Sequence, residues 1–242
     1  MLLFEDRKDA AEQLAKRLKE EWLKRDVAVT TKVRQEEQEQ QKYDNNNIII
    51  LSIPRGGVVI GDIIASIFNA RLDIIVSRKI GAPDNPELAI GAVMPDGSYF
   101  VNEDIVNMLK VPQSYIIEQT NIQKKEIERR LVNFRGSKEY DNNFEGKTVI
   151  LVDDGIATGA TMLSAAQWLK TKQNCCKMLI VAVPVAPPDT IDKIKEIADK
   201  VIVLYSPEIF GSVGRFYSNF EQVNDNEVRE IMKGHGYNIT TR

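Results

Sequence analysis

Val149-Ile150-Leu151-Val152-Asp153-Asp154-Gly155-Ile156-Ala157-Thr158-Gly159-Ala160-Thr161 is the stretch that decides how this chain is read. Four consecutive apolar residues make a strand buried on both faces. Two carboxylates stand at its C-terminal end, the edge of an open α/β sheet at which ligands bind. A glycine turn then leads into a helix, ATMLSAAQWLK (160–170), around whose start Thr158, Gly159, Ala160 and Thr161 cluster. Unengaged N–H groups at a helix start, aligned with the helix dipole, form a phosphate site, and threonine hydroxyls add donors. Asp153 and Asp154 cannot serve that phosphate, because like charges repel. They suit neutral hydroxyls beside it, so the segment has the shape of a site for a phosphorylated ribose. No Lys-Ser/Thr follows the glycines, which excludes a P-loop, and the glycine spacing excludes a dinucleotide fingerprint.

Outward from this segment the same grammar repeats. IIILSI (48–53) is an apolar run that ends in Pro54-Arg55-Gly56-Gly57, with a helical pattern from Val58 to Phe68. LDIIVS (72–77) and LAIGAVM (88–94) follow, separated by a charged Gly/Pro loop. A long charged helix is predicted from Gln113 to Phe134; its Lys124, Lys125, Arg129 and Arg130 alternate with Glu126 and Glu128 as a solvated face. MLIVAVPV (178–185), the helix DTIDKIKEIA (189–198) and VIVLY (201–205) complete the alternation. Buried strands alternating with helices predict an α/β fold: a central, mainly parallel sheet flanked by helices on both faces. At the N-terminus, Ala10, Leu14, Leu18 and Trp22 recur at helical spacing over residues 6–25, whereas 31–47 are almost wholly polar and are read as a mobile insert. No Pro/Gly-rich linker divides the chain, so residues 1–242 are read as one domain, with a C-terminal cap region at 206–242.

VILVDDGIATGAT (149–161) resembles the phosphoribosyl diphosphate-binding signature of type I phosphoribosyltransferases, and the resemblance extends over roughly residues 48–206. The arrangement PRGG (54–57), SRKIGAP (77–83), ELAIGAV (87–93) and FGSVGRFYSNFEQV (210–223) is similar to an uncharacterised branch lacking a recognisable acceptor-binding hood. The resemblance implies a type I phosphoribosyltransferase-like fold with a small C-terminal hood region. It also implies transfer of ribose-5-phosphate from 5-phosphoribosyl diphosphate to a nitrogenous, nucleobase-like acceptor with release of diphosphate.

The implied roles fall on particular residues. Gly155, Ala157, Thr158, Gly159, Ala160 and Thr161 would hold the 5′-phosphate, and Asp153 and Asp154 the ribose hydroxyls. Pro54, Arg55, Gly56 and Gly57 would hold the diphosphate, often through an unusual cis peptide. Arg78 and Lys79 would act on the leaving group from a loop running to Glu87, able to serve as a lid. Magnesium is the implied cofactor, carried by the substrate and within reach of Asp153 and Asp154. Plainer readings stand beside these: a βα turn at 54–57, a solvated basic pair at 78–79, and Phe210, Phe216 and Tyr217 either stacking an acceptor or packing a cap.

The alternative function is a regulator that senses phosphoribosyl diphosphate or a nucleotide without catalysis. With 43% hydrophobic and 28% charged residues the chain has ordinary globular composition, and its net charge of −3 speaks against a nucleic-acid surface. No apolar run approaches the ~18 residues of a membrane span, and the N-terminus lacks the basic start and apolar stretch of a secretory signal. Adjacent Cys175 and Cys176 outline neither a disulfide framework nor a metal site, consistent with the cytoplasm. The single histidine, His235, is given no role. The expected partners are small-molecule substrates; a homo-oligomer remains open.

Overall fold

The computed structural model describes residues 2–30, 47–140, 144–171 and 176–240. The polar insert expected at 31–47 therefore lies, except for Asn47, outside the described residues, as does Cys175. Among the described residues no helix is long and apolar enough to cross a membrane.

Five parallel strands form the main sheet in the order β2-β1-β6-β7-β8. They are β1 (Ile48–Ser52), β2 (Arg71–Ile74), β6 (Thr148–Val152), β7 (Met178–Val185) and β8 (Lys200–Tyr205). β1 and β6 lie in direct register, Ile48 opposite Thr148 through Ser52 opposite Val152. The continuous apolar runs follow from burial on both faces. Ile48, Ile50, Ile150, Val152 and Ile180 join one apolar layer with residues of α1 (Arg7–Thr30), α2 (Gly56–Phe68), α4 (Gln113–Arg135) and α7 (Asp225–Gly234). Their neighbours Ile49, Leu51, Val149, Leu151, Leu179 and Val181 point the other way, toward α5 (Ala160–Thr171) and α6 (Pro188–Lys195).

This topology fixes where a ligand can sit. From β1 the chain crosses over through α2 to β2 on one side; from β6 it crosses through α5 to β7, and through α6 to β8, on the other. Right-handed crossovers in opposite directions put α2 and α5 on opposite faces. The loops leaving β1 and β6 thus part above two neighbouring strands, opening a crevice at their C-terminal ends.

The second sheet differs from the expectation. Arg78–Ala82, read as part of a charged loop, is a strand, β3, paired antiparallel with β4 (Asn85–Val93). β5 (Tyr99–Val101) then pairs antiparallel with β4, so LAIGAVM belongs to this small sheet rather than to the parallel one. A short helix, α3 (Glu103–Met108), follows, capped by the Asn102 side chain accepting from the Ile105 N–H at 3.1 Å. The small sheet is braced from two sides. Tyr115 on α4 donates to the Gly81 carbonyl at 3.0 Å, and Trp168 Nε1 on α5 donates to Asp96 at 2.7 Å.

Element ends shift modestly from the sequence reading: α1 runs past residue 25 to Thr30, and α2 begins two residues before Val58. Arg135, at the end of α4, grips Asp73 of β2 with two hydrogen bonds of 2.7 and 3.1 Å, both side chains almost wholly buried. His235 is not an idle turn residue, since its Nε2 lies 2.7 Å from Asp62 Oδ1, tying the end of α7 to α2. Cys176 is buried.

Candidate functional site

The loops that follow β1, β2 and β6 open at the same end of the sheet. Around the start of α5, the N–H groups of Ala157, Thr158, Gly159, Ala160 and Thr161 meet no acceptor among the described residues; the first regular bond of the helix runs from Leu163 N to Gly159 O. Ala157, Thr158, Ala160 and Thr161 are exposed to solvent. A run of unengaged donors at a helix N-terminus is the electrostatic setting for a phosphate. Gly159 makes the turn possible. Its φ is +80°, and a Cβ there would lie 2.5 Å from Thr190 Cγ2. Thr190 is itself buried and donates to the Ala157 carbonyl at 3.3 Å.

On the neighbouring strand the Pro54–Arg55 peptide bond is cis, the geometry the family resemblance implied for this loop. The N–H groups of Arg55, Gly56 and Gly57 likewise meet no acceptor among the described residues. The sequence reading assigned Gly56 to close approach by a phosphate. In the structure a carboxylate makes the close approach, since a Cβ on Gly56 would stand 1.8 Å from Asp154 Oδ2. Arg55 lies 3.3 Å from Asp225 at the first turn of α7, and both are partly exposed.

Between these two sets of donors sits the acid pair. Asp153 accepts from the Asp154 N–H at 2.8 Å. Burial, then the charge of Asp154, pushes the Asp153 carboxyl well above the usual carboxylate range. Asp154 is also raised by burial, but Arg7 works against the shift. Arg7 has no signal in the local sequence pattern and was missed by it. Its Nε lies 2.8 Å from Asp154 Oδ2, the two side chains being only 12% and 14% exposed. A neighbouring nitrogen of the same guanidinium donates to the Glu221 carbonyl at 2.7 Å, and the guanidinium carbon sits 3.9 Å from the centre of the Phe220 ring.

The C-terminal segment does return to the crevice, with its aromatic rings turned inward. Phe216 and Tyr217 are buried. Phe216 packs on Phe210 and Tyr205 with ring centres 5.2 and 6.1 Å apart, and Tyr217 packs on Phe4 and Phe220 at 5.2 and 4.9 Å. The Tyr217 hydroxyl donates to the Asp154 carbonyl, and burial raises its pKa far above the ordinary phenol value. Beside the acids lies a cavity of about 370 Å³ lined by Arg7, Arg55, Gly56, Phe220, Gln222 and Val223.

Arg78 and Lys79 stand on β3 and not on a loop. Arg78 donates to Gln123 on α4 at 3.0 Å, and Lys79 pairs with Glu87 across the hairpin at 2.9 Å in open solvent. Among the described residues no three His, Cys, Asp or Glu side chains gather as a metal cage.

Comparison with known proteins adds three findings. Residues 20–220 match the family described as "Phosphoribosyl transferase domain". Two Mycobacterium tuberculosis proteins, "Putative phosphoribosyl transferase MT0597" of strain CDC 1551 / Oshkosh and "Putative phosphoribosyl transferase Rv0571c" of strain H37Rv, are each 34% identical over 228 residues, 94% of this chain and 46% of theirs. The chain thus spans about half the length of the curated relatives it matches. Among solved structures, TT1426 from Thermus thermophilus is similar with a TM-score of 0.71 at 31% identity, covering 96% of this chain and 98% of that one.

Proposed function

The chain belongs to the phosphoribosyl transferase domain family, and from that membership we propose that it transfers ribose-5-phosphate from 5-phosphoribosyl diphosphate to a nitrogenous acceptor, releasing diphosphate. The observation that carries the reading is the pairing of two rows of unengaged N–H groups, at 157–161 and 55–57, on either side of two carboxylates. One ligand satisfies all three: a phosphate at one end, a diphosphate at the other, and hydroxyls between.

The residues divide the work as follows. Ala157 to Thr161 hold the 5′-phosphate, Asp153 and Asp154 orient the ribose, and the N–H groups of Arg55, Gly56 and Gly57 hold the diphosphate. The acceptor nitrogen forms its bond to the anomeric carbon as the bond to diphosphate breaks, and the diphosphate departs with the bonding electrons. Fixed donors aimed at the leaving group stabilise the charge that develops there. Arg78 and Lys79, on β3, supply positive charge for the leaving group. The proton shed by the acceptor passes to Asp153, whose proton affinity burial raises, or to water.

Magnesium fits this donor set. It binds phosphates with one or two carboxylates and keeps its waters, and an acid pair without a metal cage offers that number. When bound, it would neutralise diphosphate oxygens beside Asp153 and Asp154. The Arg7–Asp154 pair supports a second reading, a non-catalytic sensor, because one acid is already engaged. Diphosphate release separates the two. Purified protein with magnesium and phosphoribosyl diphosphate, incubated with a panel of nucleobases and small amines, is expected to release diphosphate only with an acceptor. Tight binding without release for any acceptor would favour the sensor.

A further inference from the structure

The sequence assigned Asp154 to the ligand, yet the structure gives it a partner from the far end of the chain. Leu3 to Glu5 run alongside Phe216 to Asn219, with Phe4 and Tyr217 forming an isolated parallel bridge. The Leu3 and Phe4 N–H groups donate to the Phe216 carbonyl at 2.9 and 3.0 Å, and Ser218 and Asn219 donate back to Phe4 and Glu5 at 2.8 Å each. Phe4, 3% exposed, packs its ring against Tyr217. These bonds and this apolar contact hold the two termini together without help from the Arg7 side chain.

The Arg7 guanidinium does something else. It passes under Phe220, is fixed from behind by the Glu221 carbonyl, and points Nε at Asp154 Oδ2, the carboxylate oxygen that overlies Gly56. The backbone carbonyl of Asp154 is held separately by Tyr217. Each end of this aspartate is thus fixed by the clasp these segments form, whereas the Asp153 carboxylate accepts from the neighbouring Asp154 N–H.

We propose that Arg7 is a positioning residue for the transfer reaction, holding the Asp154 carboxylate turned over the diphosphate loop so that its second oxygen is presented to a ribose hydroxyl. Arg7 acts through Asp154 and not by touching the ligand. An arginine suits the task because one planar fork bonds the Asp154 carboxylate and the Glu221 carbonyl at once. The inference rests on the transferase reading of the same site.

The test is a double-substitution cycle read by titration calorimetry with magnesium and phosphoribosyl diphosphate. Arg7→Met is expected to weaken binding about tenfold or more, the scale of one misplaced charge-assisted hydrogen bond. Arg7→Lys, which restores the charge but not the fork, is expected to recover only part of the affinity. In an Asp154→Asn background, Arg7→Met is expected to change the affinity less than twofold. Thermal melts of every variant establish that each is folded. An Arg7→Met protein that binds like the native one, or a loss as large in the Asp154→Asn background as in the native one, would overturn the positioning role while leaving the transferase reading intact. Native protein that binds neither phosphoribosyl diphosphate nor ribose 5-phosphate would sink the reading itself, and this role with it.

Discussion

Gly159→Ala probes the phosphate cup where its geometry is tightest. Two effects add. A side chain at φ +80° costs about 1–2 kcal/mol in the left-handed region. The new Cβ meets Thr190 Cγ2 at 2.5 Å, and Thr190 cannot swing aside without releasing the Ala157 carbonyl, so overpacking adds roughly 1–3 kcal/mol. The expected loss is therefore about 2–5 kcal/mol, read by urea unfolding with Trp168, buried on α5, as the fluorescent reporter. Thr190→Ser removes the clashing methyl group and keeps the hydroxyl. The double variant Gly159→Ala/Thr190→Ser should recover the packing component and retain only the backbone one. Affinity for phosphoribosyl diphosphate should fall at least tenfold in the single variant, because the loop must shift to make room. A Gly159→Ala protein with native midpoint and native affinity would refute the argument, as would a double variant that recovers nothing.

Three further outcomes follow from the same geometry. Arg135→Met takes the guanidinium from the buried Asp73 carboxylate and should cost about 3–5 kcal/mol, lowering the melting temperature by roughly 6–20 °C for a chain of this size; ligand affinity of the folded fraction should not change. Lys79→Ala removes an exposed pair and should alter stability by less than about 0.5 kcal/mol in a melt, yet slow diphosphate release; a stability loss without a rate effect would make it structural only. Asp153→Asn should stabilise the protein with a pH signature. The raised folded-state pKa of Asp153 means native stability falls as pH rises from the unfolded value, near about 4, through the folded one. The gain from Asn should therefore be absent at the acid end and grow with pH in urea titrations; a gain that shrinks with pH would contradict the assignment.

How much of this was legible in the sequence depends on how local each signal is. The run 178–185 matches β7 residue for residue, because a strand buried on both faces announces itself as an uninterrupted apolar run. The acid pair, Gly159 and the Pro54–Gly57 turn were legible for a similar reason: one short segment supplies all of each feature. β3 was not. Arg78, Lys79 and Gly81 are at least partly exposed, so a strand of a small half-covered sheet reads as a charged loop. The aromatic segment showed that Phe216 and Tyr217 return to the crevice but not which way they face. The Tyr217 ring packs on Phe4, more than 200 residues earlier, as the Arg7–Asp154 pair joins residues 147 positions apart. Long-range pairs of this kind leave no periodicity to read.

The most direct test of the central claim is calorimetric titration of phosphoribosyl diphosphate, with and without magnesium, into the native protein and into Asp153→Asn/Asp154→Asn. The expected result is magnesium-dependent binding by the native protein that the double substitution abolishes while leaving the melt cooperative. Absence of binding by folded native protein, or equal binding by the doubly substituted one, would contradict the assignment of the acid pair and its flanking N–H groups as a phosphoribosyl diphosphate site.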